Sequence, residues 1–247
     1  MSYKRPWQPE LVLMFIGALF ASFCLASLAA MALQATGVAA FKSPDSFANV
    51  LVGTLSMQGV TWILMFIFLR LHEVDWRDAF GLREPNLTRA LLLTAGILLP
   101  ILVVVWPLQN LSILLLMKLG YPPENQRAVE MLLDAKSNWA LGYFVFFAVV
   151  IAPVAEEFVF RGMLFPLVRQ LGGSKLAWIG VSLLFALIHF DVAIFVPLFV
   201  LALIFTWLYE KTGCLAAPVL AHSLFNAANL ILLIVVDKLG HKLPMLP

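Results

Sequence analysis

Apolar residues run along this chain in long blocks, each closed by a short polar stretch. The first block, "LVLMFIGALFASFCLASLAAMAL" at residues 11–33, carries no charge. It suffices to cross a hydrocarbon core, which takes roughly 20 helical residues. Blocks at about 48–69, 139–170, 175–190, 193–209 and 214–236 read the same way. The block at about 90–117 is too long for one straight crossing and too short for two, so Pro100 and Pro107 predict kinks within it. Between the blocks lie a charged juxtamembrane loop, "RLHEVDWRDAFGLREPNLTR" at 70–89, and "GYPPENQRAVEMLLDAKSN" at 120–138, predicted as a short interfacial helix or loop. The N-terminal "MSYKRPW" and the small residues Ala30-Met31-Ala32 have the outline of a signal peptide. The apolar run between them is about twice the usual core of roughly 7–15 residues, which predicts an uncleaved first helix. The pattern therefore predicts an all-α fold, a polytopic transmembrane bundle of about seven to eight helices. A single integral-membrane domain over 1–247 is expected, with no internal repeat.

Composition agrees. Apolar residues make up 62% of the chain and charged ones 12%, with a mean hydropathy of +0.96. Soluble domains lie nearer half apolar and about a quarter charged. The net charge of +2, without any basic block, gives no sign of a nucleic-acid-binding surface, and no nucleic-acid partner is expected. Cys24 and Cys214 both sit in apolar segments and read as packing residues, not as a disulfide framework or a metal cluster. With the N-terminus inside, Lys4, Arg5, Arg70, Arg77, Arg83, Arg89, Arg161, Arg169, Lys175 and Lys211 fall on the cytoplasmic side. Lys42, Lys118, Arg127, Lys136, Lys238 and Lys242 then fall outside, a modest bias that favours this orientation.

A charge placed at mid-membrane costs roughly 2.5–3.5 kcal/mol, so such residues tend to face the bundle interior and serve a function. In the second half of the chain the polar residues of this kind are Glu156, Glu157, Arg161, His189, Asp191, His222, Asn226 and Asn229. Glu157 and Arg161 stand four apart with the glutamate first, the better order for a helical ion pair. Glu156 points about 100° away and is left to face something else. His222, Asn226 and Asn229 form one stripe, and Phe185 and His189 repeat the four-residue spacing. Counted from Arg169, Lys175 and Gly213, the residues Glu156, His189 and His222 lie ~20, ~21 and ~14 Å along their helices, which makes one shared site plausible. Asp191 is expected at a helix exit, at the water boundary. Taken singly, a buried histidine is as well explained by a core hydrogen bond, Glu157 with Arg161 by a packing ion pair, and Asn226 by a helix bridge. Their conjunction on three helices is poorly explained in that way.

A carboxylate can hold and deprotonate water, a neighbouring histidine can share that water or protonate a leaving amine, and an asparagine amide can donate to an oxyanion. That set fits peptide hydrolysis without a covalent intermediate. Glu156, His189 and His222 would equally make a His2Glu zinc shell with one open position. Spacing leaves both open.

Three motifs then stand in order: EExxxR at Glu156–Arg161, FxxxH at Phe185–His189 and HxxxN at His222–Asn226. Together they resemble the CPBP family of membrane proteases, also called Abi, which includes the CAAX prenyl endopeptidase and bacteriocin-processing and self-immunity proteins. The resemblance covers a motif-bearing core at about 139–236, and "FGLR" at 80–83 is similar to a segment common upstream. It implies that Glu156 activates water with help from His189. His222 and Asn226 would position the water and stabilise the oxyanion, and Glu157 and Arg161 would brace the site. It also implies a glutamic, metal-independent intramembrane endopeptidase with no cofactor, although zinc at Glu156, His189 and His222 is the alternative. The implied partners are the membrane and a peptide or protein substrate, lipid-modified or membrane-anchored in some family members. The implied location is a bacterial inner membrane. Two rivals are a non-catalytic immunity or scaffold protein with the same fold and a proton or ion pathway. Substrate and oligomeric state are not written in these residues.

Overall fold

The computed structural model describes residues 7–41, 43, 46–83, 86–121 and 138–238. The polar stretch predicted between residues 120 and 138 falls almost wholly outside the described residues. Six helical runs are long and apolar enough to cross a membrane, and no strand occurs among the described residues. The chain is thus an all-α, multi-pass integral membrane protein, as its hydropathy predicts. It divides into two compact units, one over Trp7–Trp76 and one from Arg77 onward.

In the first unit, α1 (Pro9–Ala35) begins with proline in its first turn, where a missing N–H costs nothing. Helix α2 (Phe47–Leu71) is N-capped by Ser46, whose side chain accepts from the Asn49 N–H, and contains a π turn at Leu55–Gly59. Ser22 Oγ of α1 donates to the carbonyl of Ser56 in that turn at 3.2 Å. Trp7, Phe68 and His72 form a ring cluster with centroids 4.2–5.0 Å apart.

The second unit holds the motifs. It starts within α3 (Trp76–Phe80), which leads to α4 (Asn86–Lys118), a helix of 33 residues that runs on through Pro100 and Pro107. At 1.5 Å per residue α4 is ~50 Å long, well beyond the ~30 Å of a hydrocarbon core. The next helical run is interrupted at Gly173, whose φ of 83° and ψ of 172° are not helical, and this divides it into α5 (138–172) and α6 (174–187). The division matches the sequence expectation of separate helices ending near 170 and starting near 175. Phe160 and Phe185, thirteen residues before and twelve after Gly173, meet edge to face at 5.1 Å, so α6 folds back on α5 as a hairpin. Helix α7 (Val192–Thr212) is N-capped by Asp191, whose carboxylate accepts from the Ala193 N–H at 2.8 Å. It ends at Gly213 in the left-handed region, and α8 (Ala216–Lys238) follows.

The seam of α4, α7 and α8 is the apolar core of this unit, built on Ile101, Val105, Leu201, Phe205, Leu208 and Phe225. Ala90, Ala217 and Ala221 are fully buried there and let the helix backbones approach. Thr94 Oγ1 donates to the Ala217 carbonyl at 3.1 Å, and Trp106 Nε1 donates to Asn229 Oδ1 at 2.8 Å, so α4 grips α8 at two levels.

The "FGLR" segment locks onto the α7–α8 turn. The Leu215 N–H donates to the Phe80 carbonyl at 2.7 Å, and the Phe80 ring stands edge-on to Phe158 of α5 at 5.7 Å. Gly81 has φ +63°, and a Cβ there would lie 2.0 Å from the Gly213 carbonyl oxygen, so only glycine fits. Arg83 pairs with Asp78 across the turn.

Candidate active site

Helix α5 is not regularly wound. A π turn at Phe147–Ile151 precedes Pro153 and another at Phe158–Leu164 precedes Pro166, leaving a short α segment, Ala152–Glu157, between them. Proline lacks an N–H and its ring crowds the carbonyl four residues back, and each π turn includes that residue, Val149 or Gly162. Glu156 and Glu157 end the short α segment, and Arg161 lies in the second π turn.

Glu157 and Arg161 are both fully buried. Arg161 Nη1 donates to Glu157 Oε1 at 2.9 Å, which is the ion pair expected from the four-residue spacing. Arg161 Nη2 donates to the Ala202 carbonyl of α7 at 2.9 Å. The guanidinium also lies over Phe185 at 4.7 Å and Phe205 at 5.4 Å from the ring centroids, so three helices confine it. Glu157 has a second task that spacing did not reveal, because His222 Nδ1 lies 2.9 Å from the same Oε1. A carboxylate can only accept, so against Glu157 as a carboxylate Nδ1 carries the hydrogen. When its ring is neutral, His222 therefore presents an unprotonated Nε2. That nitrogen is 3.9 Å from Glu156 Oε2. His222 thus sits between the two adjacent glutamates, bonded to one and facing the other. Phe205 stacks on its ring at 5.1 Å, and Phe185 meets it edge-on at 6.0 Å. The Glu156 side chain is 26% exposed while those of Glu157 and Arg161 are wholly enclosed, so Glu156 is the accessible acid of the two.

The other motif residues are placed less directly. His189 Nδ1 lies 2.7 Å from the carbonyl of Phe185 on its own turn, and the two rings pack at 4.9 Å. The Phe185 ring thereby touches both histidines. Asn226 Nδ2 donates to the Ala148 carbonyl of α5 at 2.9 Å. Among the described residues, no three His, Cys, Asp or Glu side chains gather as a metal would require. The residues that sequence reasoning missed are Phe205, Ala202 and Ala148. The last had no readable signal, since Pro153 by itself points to the carbonyl of Val149 and only the π turn moves the vacancy to Ala148.

Fold and site together define a class: polytopic membrane proteins with an enclosed glutamate–arginine–histidine cluster beside a second, accessible glutamate. Residues 138–228, the motif-bearing part of the chain, match the family described as type II CAAX prenyl endopeptidase Rce1-like. It is 35% identical over 89 residues to the membrane-embedded CAAX protease MroQ of Staphylococcus aureus (strain USA300), covering 34% of this chain and 36% of that protein. It is 32% identical over 78 residues to the UPF0177 protein YxdF of Lactococcus lactis subsp. lactis (strain IL1403), covering 31% of this chain and 42% of that protein. The chain thus matches less than half the length of these relatives. No solved structure matches.

Proposed function

We propose that this protein is an intramembrane endopeptidase that hydrolyses a peptide bond with water activated by Glu156. The observation that carries the reading is the position of His222, bonded through Nδ1 to Glu157 and turned through Nε2 toward Glu156 at 3.9 Å. That gap is too long for a hydrogen bond, but one oxygen atom can lie ~2.8 Å from both groups. A water held there loses a proton to Glu156 as its oxygen adds to the scissile carbonyl carbon, and the carbonyl becomes an oxyanion. The intermediate collapses by breaking the C–N bond, and Glu156 returns its proton to the departing amine. Glu157 and Arg161 orient His222, and His222 orients the water. The resemblance supports His189 as an assisting group, presented through the ring nitrogen not bound to its own helix.

The reaction is read as metal-independent on the resemblance to a glutamic family. Retention of activity in a strong chelator is expected, and a loss restored by added zinc would overturn this part. The family match supports a lipid-modified or membrane-anchored peptide as substrate, and the bacterial origin of both relatives supports the inner membrane as location.

The test works without a defined substrate. Cells expressing the wild type or Glu156→Gln are compared for new protein N-termini by mass spectrometry. A set of termini present only with the wild type, and absent also with His222→Ala, is expected. Identical sets in all three would end the peptidase reading and favour a non-catalytic membrane protein.

A further inference from the structure

The first π turn of α5 leaves one carbonyl without a helical partner. The Ala152 N–H donates to the Phe147 carbonyl, one residue beyond α-helical spacing. The next carbonyl in that register, Ala148, would take the N–H of residue 153, which is proline and has none. Among lipid-facing helices no water replaces a lost backbone partner, so the vacancy is costly. Asn226 Nδ2 fills it at 2.9 Å. In the other unit a side chain also donates to a carbonyl within a π turn, Ser22 Oγ to that of Ser56 in α2.

We infer that Asn226 serves the proposed reaction as a positioning residue: by capping the carbonyl that Pro153 leaves unpartnered, it fixes α8 against α5 and sets the distance from His222 to Glu156. This inference rests on the peptidase reading. The pairs Ala148–Asn226 and Glu157–His222 run in opposite chain directions, so α5 and α8 are antiparallel and the two bonds are rungs between them. Asn226 stands one turn, ~6 Å, beyond His222 along α8, and Ala148 stands ~12 Å before Glu156 along α5. With only the lower rung, α8 can pivot about Glu157 and carry Nε2 away from Glu156. The resemblance implies an oxyanion donor at Asn226, whose amide gives one N–H to the backbone of α5.

A double-mutant cycle separates the two roles, because Pro153→Ala gives residue 153 an N–H that can serve Ala148 itself. The protein is the purified full chain in one detergent, and the probe is the peptide spanning the most abundant cleavage site found in the N-terminus comparison above. In the native background Asn226→Ala is expected to lower the melting temperature by about 2–4 °C. It should reduce kcat ~10–100-fold with little change in KM and shift the pH profile of kcat/KM, as a misplaced reacting pair does. In the Pro153→Ala background the same substitution should cost less than ~3-fold in kcat, with the temperature shift and the pH shift both gone. An oxyanion donor would instead lose ~10²–10³-fold in both backgrounds without loss of thermal stability, and that result overturns the inference. Should Pro153→Ala not fold, Asn226→Ala alone decides, since an unchanged melting temperature also overturns it. Should the wild type yield no cleavage, the peptidase reading fails, and the thermal cycle still shows whether Asn226 caps Ala148.

Discussion

Helices α4 and α5 each carry two prolines and absorb them differently. Helix α4 passes Pro100 and Pro107 within one uninterrupted α-helix, whereas α5 opens a π turn before each of Pro153 and Pro166. In every case the ring crowds the carbonyl four residues back. In α4 those carbonyls belong to Gly96, with nothing within 4 Å of its Cβ position, and to Val103, which is 63% exposed. That helix can relieve the crowding by tilting carbonyls into open space. In α5 the second belongs to Gly162, buried so tightly that a Cβ would meet Phe158 at 3.2 Å. With no room to tilt, α5 winds more loosely. Packing accounts for the turn before Pro166, whereas Val149, crowded by Pro153, is only half-buried; in α5 the loosened turns flank the glutamates.

The comparison is broken most severely by emptying the centre that α5 encloses. Glu157→Leu leaves the Arg161 charge buried without its carboxylate and His222 Nδ1 without an acceptor. A loss of ~3–5 kcal/mol is expected, read as a lower thermal midpoint or as failure to accumulate in the membrane. The double variant Glu157→Leu/Arg161→Leu should regain most of that stability, since apolar replacement of a buried pair is often neutral or better. It should not regain hydrolysis, because His222 stays unoriented. Hydrolysis at the wild-type rate by the double variant would show that Glu157 is only a packing partner.

How much of this was legible follows from the same two helices. The span boundaries were readable because long apolar blocks end at polar stretches or glycines, and Gly173 falls where a break was expected. The Glu157–Arg161 pair was readable because a four-residue spacing survives local changes of winding. Which glutamate faces which histidine was only half readable. A π turn inserts a residue and rotates all that follows by ~100°, so a face counted at 3.6 residues per turn loses its phase across 147–151 and again across 158–164. The sequence assigned Glu157 to Arg161 and left Glu156 free, but it had no means of showing that His222 bridges the two. Nor could it pair Asn226 with Ala148, a partner 78 positions away whose need arises from an irregular turn. The stack of Phe205 on His222 had no signal at all in a helix that is apolar on every side.

A smaller effect is expected where α8 is held by the regular helix instead. Asn229 accepts from Trp106 of α4, one turn beyond the contact of Asn226 with α5. Asn229→Ala should cost ~0.6–1.7 kcal/mol, the range of interhelical hydrogen bonds within membranes. Its signature should differ from that of Asn226→Ala: a lower thermal midpoint, but an unshifted pH profile of kcat/KM. A pH shift as large as that of Asn226→Ala would mean that α4 and α5 share the positioning of His222.

The smallest effect isolates the prolines themselves. Pro100→Ala in α4 returns an N–H to a carbonyl that already has open space around it, and alanine is the better helix former. Because α4 is already α-helical on both sides of Pro100, nothing downstream need rotate, and the change should stay within ~1 kcal/mol. Hydrolysis should stay within ~2-fold of wild type, since a surface change away from caps and buried charges rarely propagates. Pro166→Ala is the matched change in α5. There the returned N–H offers the segment 158–164 an α-helical alternative, and adopting it would shift Arg161 against the Ala202 carbonyl, Phe185 and Phe205 of the facing helices. The two substitutions are chemically identical, so a ratio of their kcat values measures the winding of α5 alone. A ratio near one would mean that the loosened turns are incidental to the site, and the contrast between the two helices would then describe packing without consequence for chemistry.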